Sequence, residues 1–448
     1  MQPIKVVTRV VVATILCFAV AAPVAAQGIR IIRDAETEDT IRQMTAPLLQ
    51  AAGIAPSSVA IHLVNDKSLN AFVANGLNMY IHTGLLMTAE NANQVIGVIA
   101  HETGHITGGH LSRLKDAVDQ GSATSLIATL LGAAVAVGTG RGDVGAAVFA
   151  GGQTVAQRNF LTFTRSQENS ADQAALKLLD ATGQSAKGLY DFMEVLQGQE
   201  LLISNNQDPY VRTHPLSSDR LRAYEAHMKR SPYTSATTAP EIEAAFQRIR
   251  AKLRGYFNPP HQTLRDYPLG ENSEEARYAR AFAYSRIPET EKAFEELEHL
   301  LAAVPDDPYF LELKSQVLFE SGNVEAAIPP FRRAVEQRPN SALLRGEFGR
   351  VLLESKEPGA LNEAVEQLKL SLSRDRDAPF VWRNLGIAYG RLGDIGRSSL
   401  ALAEEAALRG KVSEVSFHAG RAAEMFPVGS PERLQAEDLL LAVKNKNN

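Results

Sequence analysis

Cysteine is almost missing from this chain: Cys17 is the only one among 448 residues. No intrachain disulfide can form, and neither a thiolate zinc site nor an iron–sulfur cluster can be built. Any bound metal must therefore be held by nitrogen and oxygen. An excess of positive charge is missing too. Lys and Arg number 46 against 51 Asp and Glu, for a net charge of −5. That balance removes the electrostatic case for a dedicated nucleic-acid binder. Long apolar runs are also lacking. Val10–Val20 and Ser125–Gly138 both fall short of the ~20 residues a bilayer span requires. What remains is an ordinary globular composition, 45% hydrophobic and 22% charged. At about 150 residues per domain, two or three domains fit.

The first residues read as a secretory signal. Lys5 and Arg9 precede the apolar run, and Val24 and Ala26 are small enough for the −3 and −1 positions of a cleavage site. The expectation is a signal peptide over residues 1–26, cut near Ala26, and a periplasmic mature chain. Cleavage takes Cys17 with it and leaves no thiol to misoxidise.

Residues 27–262 mix apolar runs, glycines and polar turns. Asp34–Gly53 has helical spacing. Ser58–Val64 and Ala71–Ile81 contain strand-like runs, with a turn at Asn75-Gly76. Residues 125–152 fit either a buried helical hairpin or a surface in peripheral contact with membrane or an apolar client. Ser231–Pro240 has linker composition, and Glu241–Tyr256 is helical in period.

Residues 271–448 have a different texture. A small residue recurs at Ala293, Ala327, Ala364 and Ser398, at spacings of 34, 37 and 34, and Pro305 and Pro339 are also 34 apart. Trp382, Leu385, Gly386, Tyr389 and Gly393 complete the last unit. Small residues let paired helices approach closely, and the prolines end the second helix of each pair. These positions resemble tetratricopeptide repeats, three to four of them, closed by one or two helices over Val412–Val443. Such a stack offers a concave face to segments of other proteins and has no chemistry of its own.

The chemistry lies in His101-Glu102-Thr103-Gly104-His105, an H-E-x-x-H pentapeptide. On a helix, residues four apart lie about 40° apart around the axis, so both imidazoles reach one ion. Glu102 points roughly 100° away from His101. It misses the ion yet can act as general base on a zinc-activated water. The apolar run Val95–Ala100 ahead of the motif would bury its helix. A catalytic zinc needs a third protein ligand, and thiolate is excluded. Glu168 and Asp172, one helical turn apart, meet that need: Glu168 as ligand, Asp172 as the acceptor of a ligating histidine's free N–H. By themselves, two carboxylates at this spacing also fit a solvated helix face.

The pentapeptide, Thr164–Asp172, Thr213-His214-Pro215 and Arg220 together resemble the family-48 zinc metallopeptidases, the group of HtpX-like and Oma-like enzymes. The likeness covers roughly residues 30–230. Glu168 follows His105 by 63 residues, far more than in thermolysin-like enzymes. The resemblance implies one Zn2+ per chain, and a sheet edge within Asn70–Leu86 that lines the substrate cleft. Signal, peptidase region and repeats together are similar to the periplasmic β-barrel assembly-enhancing group. That likeness implies clients that are unfolded or misassembled outer-membrane proteins, and contact with the barrel-assembly machinery through the repeats.

His214 is expected near the metal, as an oxyanion partner or a reversible extra ligand; otherwise it is a loop histidine before Pro215. Arg220 is expected to pair with Asp172 or to bind substrate, and Arg165 to orient a carboxylate. His110, five residues past His105, leaves the metal face of the helix. The expected fold is mainly α (α+β): a gluzincin-type zinc peptidase domain with a small antiparallel sheet over 27–262, then a tetratricopeptide α-solenoid over 271–448. The expected activity is zinc endopeptidase. The alternative is a chaperone or scaffold whose peptidase activity is secondary or gated.

Overall fold

The computed structural model describes residues 30–74, 76–110, 165–200, 214, 218–287 and 289–446. The expectations for the signal segment and for residues 125–152 fall outside these residues. Among the described residues, no helix is long and apolar enough to cross a membrane.

The peptidase region opens with β1 (Ile31–Ile32) and α1 (Ala35–Ala51). Asp34 caps α1 by accepting from the Thr37 N–H, and Ile41, Met44 and Leu48 form the buried face of the helix. Three strands follow: β2 (Ala60–Val64), β3 (Ala71–Ala74) and β4 (Asn78–His82), then a short α2 (Thr83–Thr88). The strand order is β1-β2-β4-β3. β3 and β4 form a hairpin through Gly76, whose φ of 89° suits glycine.

The sheet is mixed, which corrects the antiparallel expectation. β4 inserts between β3 and β2, and β2 pairs with it in parallel, from Ala60↔Asn78 to Val64↔His82. The chain reverses twice between β2 and β4, so the two run the same way. β3 is left as an edge strand. Alternation along β4 sends Met79 and Ile81 into the core. On the other face Tyr80 stacks between His62 and Phe72.

The zinc-motif helix is α3 (Ala92–Thr107), capped by Asn91. It runs through the middle of the core, with Val95, Ile96, Val98 and Ile99 fully buried. Beside it lie α4 (residues 165–181) and α5 (Lys187–Glu200). Contact is close at two glycines. A Cβ on Gly97 would stand 2.7 Å from Leu189 Cβ, and one on Gly104 would stand 2.6 Å from the Ala171 carbonyl oxygen. The next helices are α6 (Ser218–Met228), α7 (Pro240–Phe257) and α8 (Pro260–Asp266).

Ser231–Pro240 joins α6 to α7 within the peptidase region and packs on it, since Ser185 Oγ donates to the Thr234 carbonyl at 2.7 Å. Phe246, Ile249 and Leu253 of α7 belong to the peptidase core, and α7 also carries the first helix of the solenoid.

The solenoid is five helical pairs. They are α9 (Glu274–Ser285) with α10 (Thr290–Ala303), α11 (Pro308–Glu320) with α12 (Val324–Gln337), and α13 (Ala342–Glu354) with α14 (Ala360–Leu372). The last two are α15 (Pro379–Arg391) with α16 (Ile395–Leu408), and α17 (Val412–Met425) with α18 (Pro431–Lys446). Ala293, Ala327 and Ala364 have no exposed surface, as the repeat pattern requires. Ser398 packs where a Cβ on Gly390 would meet its Oγ at 3.3 Å. The longer spacing near Pro358 is taken up by a loop ending at Gly359, φ 85°.

The start of α1 is held against the repeats by charge. Arg248 of α7 pairs with Asp307 at 2.7 Å and with Glu36, and Lys252 pairs with Asp34 at 2.6 Å. Tyr278 and Tyr309 donate hydroxyls to Glu36 and Asp39, and Arg33 reaches Asp375 of the third repeat.

Candidate metal centre

Helix periodicity puts His101 and His105 one turn apart on α3, with their Nε2 atoms 3.1 Å apart. Glu168 comes from α4, whose close approach Gly104 permits. Its Oε2 lies 3.4 Å from His101 Nε2, and its Oε1 lies 3.5 Å from His105 Nε2. His214 closes the group, with Nδ1 3.3 Å from His101 Nε2 and 3.2 Å from Glu168. All four side chains are buried, with ligand atoms within 4.8 Å of one another.

These spacings have a simple reading. Bonds of about 2.05 Å directed tetrahedrally set neighbouring donor atoms about 3.3 Å apart. The five donor separations above run from 3.1 to 3.5 Å. Nitrogen and carboxylate donors with no thiolate fit zinc, and the residues present fit that ion. Charge gives the same answer. Glu102, Glu168 and Asp172 are three buried carboxylates, and among the described residues the one permanent cation that pairs with them is Arg220. A divalent ion settles the difference.

Asp172 stands behind the donors. His101 Nδ1 lies 2.9 Å from its Oδ1, which points Nε2 at the metal position. Asp172 is itself gripped by Arg220, through Nε at 2.6 Å and Nη2 at 2.8 Å, and accepts the Tyr224 hydroxyl. Arg220 Nη1 also reaches Glu168 at 3.1 Å. Of the two roles expected for Arg220, the pairing with Asp172 is the one its geometry serves. At 3% exposure its guanidinium presents nothing to a substrate.

Burial alone would lift both carboxyls, yet neighbours outweigh it. Hydrogen bonds and charge from His101 and His214 lower Glu168, and Arg220 with His101 lowers Asp172. Burial would depress His101, but Asp172 and Glu168 hold it up at about 9. Burial, with the charges of His101 and His214 added, sends His105 down to about 2.

Glu102 is fully buried, and burial raises its carboxyl. Among the described residues, neither of its oxygens has a well-formed hydrogen bond. Its Oε1 is 3.6 Å from His214 Nε2, and the Val73 backbone of edge strand β3 lies against it. A buried carboxylate in that state is one that a water completes.

Two sequence expectations need revision. His110 does not leave the site. α3 ends at Thr107, Gly109 takes φ 60°, and the chain turns His110 Nδ1 back to 2.9 Å from His105 Nδ1. His110 thus orients His105 much as Asp172 orients His101. The signal available was the Gly108-Gly109 pair, which stops the helix before the angular count applies. Arg165 is exposed, and among the described residues it pairs with no carboxylate of the site. Tyr224 was missed by sequence reasoning, although it lies one helical turn past Arg220 and so shares its face.

Residues 35–227 match the model for peptidase family M48, and residues 277–405 match one for the tetratricopeptide repeat. The chain is similar to the "Beta-barrel assembly-enhancing protease" of Yersinia pestis, 23% identical over 379 residues, which span 83% of this chain and 76% of that protein. The protein of that name in Escherichia coli (strain K12) is 23% identical over 407 residues, 89% of this chain and 81% of that one. The "Mitochondrial metalloendopeptidase OMA1" of Schizosaccharomyces pombe is 27% identical over 184 residues, 40% of this chain and 49% of its own. Donor set and sequence matches agree: the chain is a zinc metalloendopeptidase with a peptidase family M48 domain and a tetratricopeptide-repeat domain.

Proposed function

We propose that the chain works in the periplasm on unfolded or misassembled outer-membrane β-barrel proteins. His101, His105 and Glu168 hold one zinc ion, and Glu102 is the general base. Two features support the setting: the secretory character of residues 1–26, and relatives named for enhancing β-barrel assembly. The observation that carries the chemistry is the buried set of four donors, with five separations of 3.1 to 3.5 Å, and Glu102 beside it and beside an edge strand.

Zinc held there would supply Lewis acidity toward a water and a scissile carbonyl. Glu102 takes the proton from that water on its carboxylate and returns it to the leaving amine nitrogen. Asp172 and His110 hold the two imidazoles in place. β3 accepts an extended client by strand addition and lays its backbone next to Glu102. The repeats receive clients or dock the enzyme on the barrel-assembly machinery.

His214 favours a second reading alongside the first. A catalytic zinc keeps one position open, and a fourth protein donor closes it. With His214 seated, the chain is a client-binding assembly factor. With His214 withdrawn, it is a peptidase. The test is cleavage of a urea-unfolded outer-membrane barrel protein by the purified, zinc-loaded chain. His214→Ala should cleave faster than the parent while keeping its zinc. If neither protein cleaves, the peptidase reading fails; if the variant loses its zinc, His214 is a required ligand and not a gate.

A further inference from the structure

Where the repeats meet the peptidase region they leave a cavity of about 560 Å3. Its walls combine aromatic rings with charged side chains. Tyr256 and Phe257 come from the end of α7, Phe282 and Phe331 from the repeats, and Phe380 stands at the first turn of α15. Tyr256 and Phe380 are 49% and 44% exposed, so two of these rings lie at the mouth.

The charges around the cavity are matched, with one exception. Lys252 has Asp34 at 2.6 Å and Glu36 at 3.2 Å, Arg33 has Glu38 and Asp375, and Arg350 has Glu347 at 2.8 Å. Glu312 of α11 lines the same cavity, and no described residue forms a hydrogen bond or ion pair with its carboxyl. Burial raises that carboxyl to about 8, against the pull of Lys252 and helped by Asp34, Glu347 and Glu36. Glu312 is half-buried, so its carboxyl gives up part of its hydration with no ion pair among the described residues to replace it. A cation entering between the rings would relieve it twice, by pairing with Glu312 and by lying over aromatic faces. One carboxyl offers too few oxygens for a calcium or magnesium ion, so the fitting cation is organic. Lysine and arginine side chains add an apolar stem that suits such walls. The volume leaves room for apolar neighbours on either side of that side chain.

We propose that this cavity docks an extended client segment through one basic side chain, with Glu312 as its counter-ion and the aromatic walls as its sleeve. The proposal rests on the repeats being a client-binding surface, and it is independent of the zinc assignment. It gives that surface a selection rule: a basic residue set among apolar ones.

The test is fluorescence anisotropy on the full chain carrying Glu102→Gln, so that no probe is cut. The probes are a labelled ten-residue peptide with a central arginine flanked by leucine and phenylalanine, and the same peptide with methionine for arginine. The arginine peptide should bind roughly tenfold more tightly. Adding Glu312→Gln should remove that preference and leave the methionine peptide's affinity unchanged, while Phe380→Ala at the exposed mouth should weaken both. A preference that survives Glu312→Gln, or no preference in its absence, overturns the proposal and leaves client binding standing. Failure of both peptides to bind overturns the two together.

Discussion

Among the described residues, two clusters of largely buried carboxylates are answered differently. At the metal centre Glu102, Glu168 and Asp172 face a single guanidinium, and the remaining partners are imidazoles that carry no fixed charge. At the domain junction Asp34, Glu36 and Asp307 face Arg248 and Lys252. The first cluster is incomplete without an outside ion. The second closes with its own side chains and fixes the start of α1 against the solenoid. The excess of carboxylates over fixed cations is two at the site meant to be filled and one at the joint, where the Tyr278 hydroxyl also donates to Glu36. Glu312, unpaired among the described residues at the edge of the joint, adds a further carboxyl.

The comparison can be broken from either side. The largest effect is expected from Glu102→Gln. It removes the base but no ligand, so the cleavage rate should fall by roughly 10²–10⁴-fold, while metal analysis still finds one zinc. Arg248→Ala strikes the other cluster, takes the cation from Asp307 and leaves Glu36 with Lys252 alone. It should cost about 3 kcal/mol, read as a lowered midpoint in urea unfolding, with zinc content unchanged. Asp172→Asn is intermediate in kind, since it touches no metal yet frees His101 to turn. Zinc affinity and activity should drop roughly 10–100-fold, measured by competition with a chromophoric chelator.

The smallest effect is a matter of acid. Burial would raise the Asp34 carboxyl, but Lys252 outweighs it and holds it below the usual value. A carboxyl lowered in the folded state adds stability above its unfolded pKa and loses it as pH falls. The junction should therefore weaken below about pH 4. Asp34→Asn should show a smaller loss of thermal stability than the parent between pH 7 and 3.5. Equal losses would remove Asp34 from the joint.

Sequence reasoning reached these two regions unequally. The metal pentapeptide and the 34-residue period are local patterns, and helix geometry alone converts them into an ion site and a stack of helix pairs. Glu168 and Asp172 could be read because they share a turn. The junction has no local spacing: Glu36 meets Arg248 and Tyr278 across more than two hundred residues, and nothing near Glu36 announces either. The parallel pairing of β2 with β4 was hidden for a similar reason. The strand-like runs show where strands lie, but not that the last inserts between the other two. His110 was misjudged because the angular count assumed a helix that in fact ends at Thr107, three residues before it.

Gly104 has a consequence for the evolution of such a chain. The third position after His101 is free in the bare H-E-x-x-H pattern, yet here the missing methyl sets the distance between two helices. A Cβ would stand 2.6 Å from the Ala171 carbonyl oxygen and push α4 outward, taking Glu168 away from the histidines. The ion is thus measured by a backbone-to-backbone contact as well as by its donors. Any drift at this position would have to be matched by a compensating shift along the length of α4.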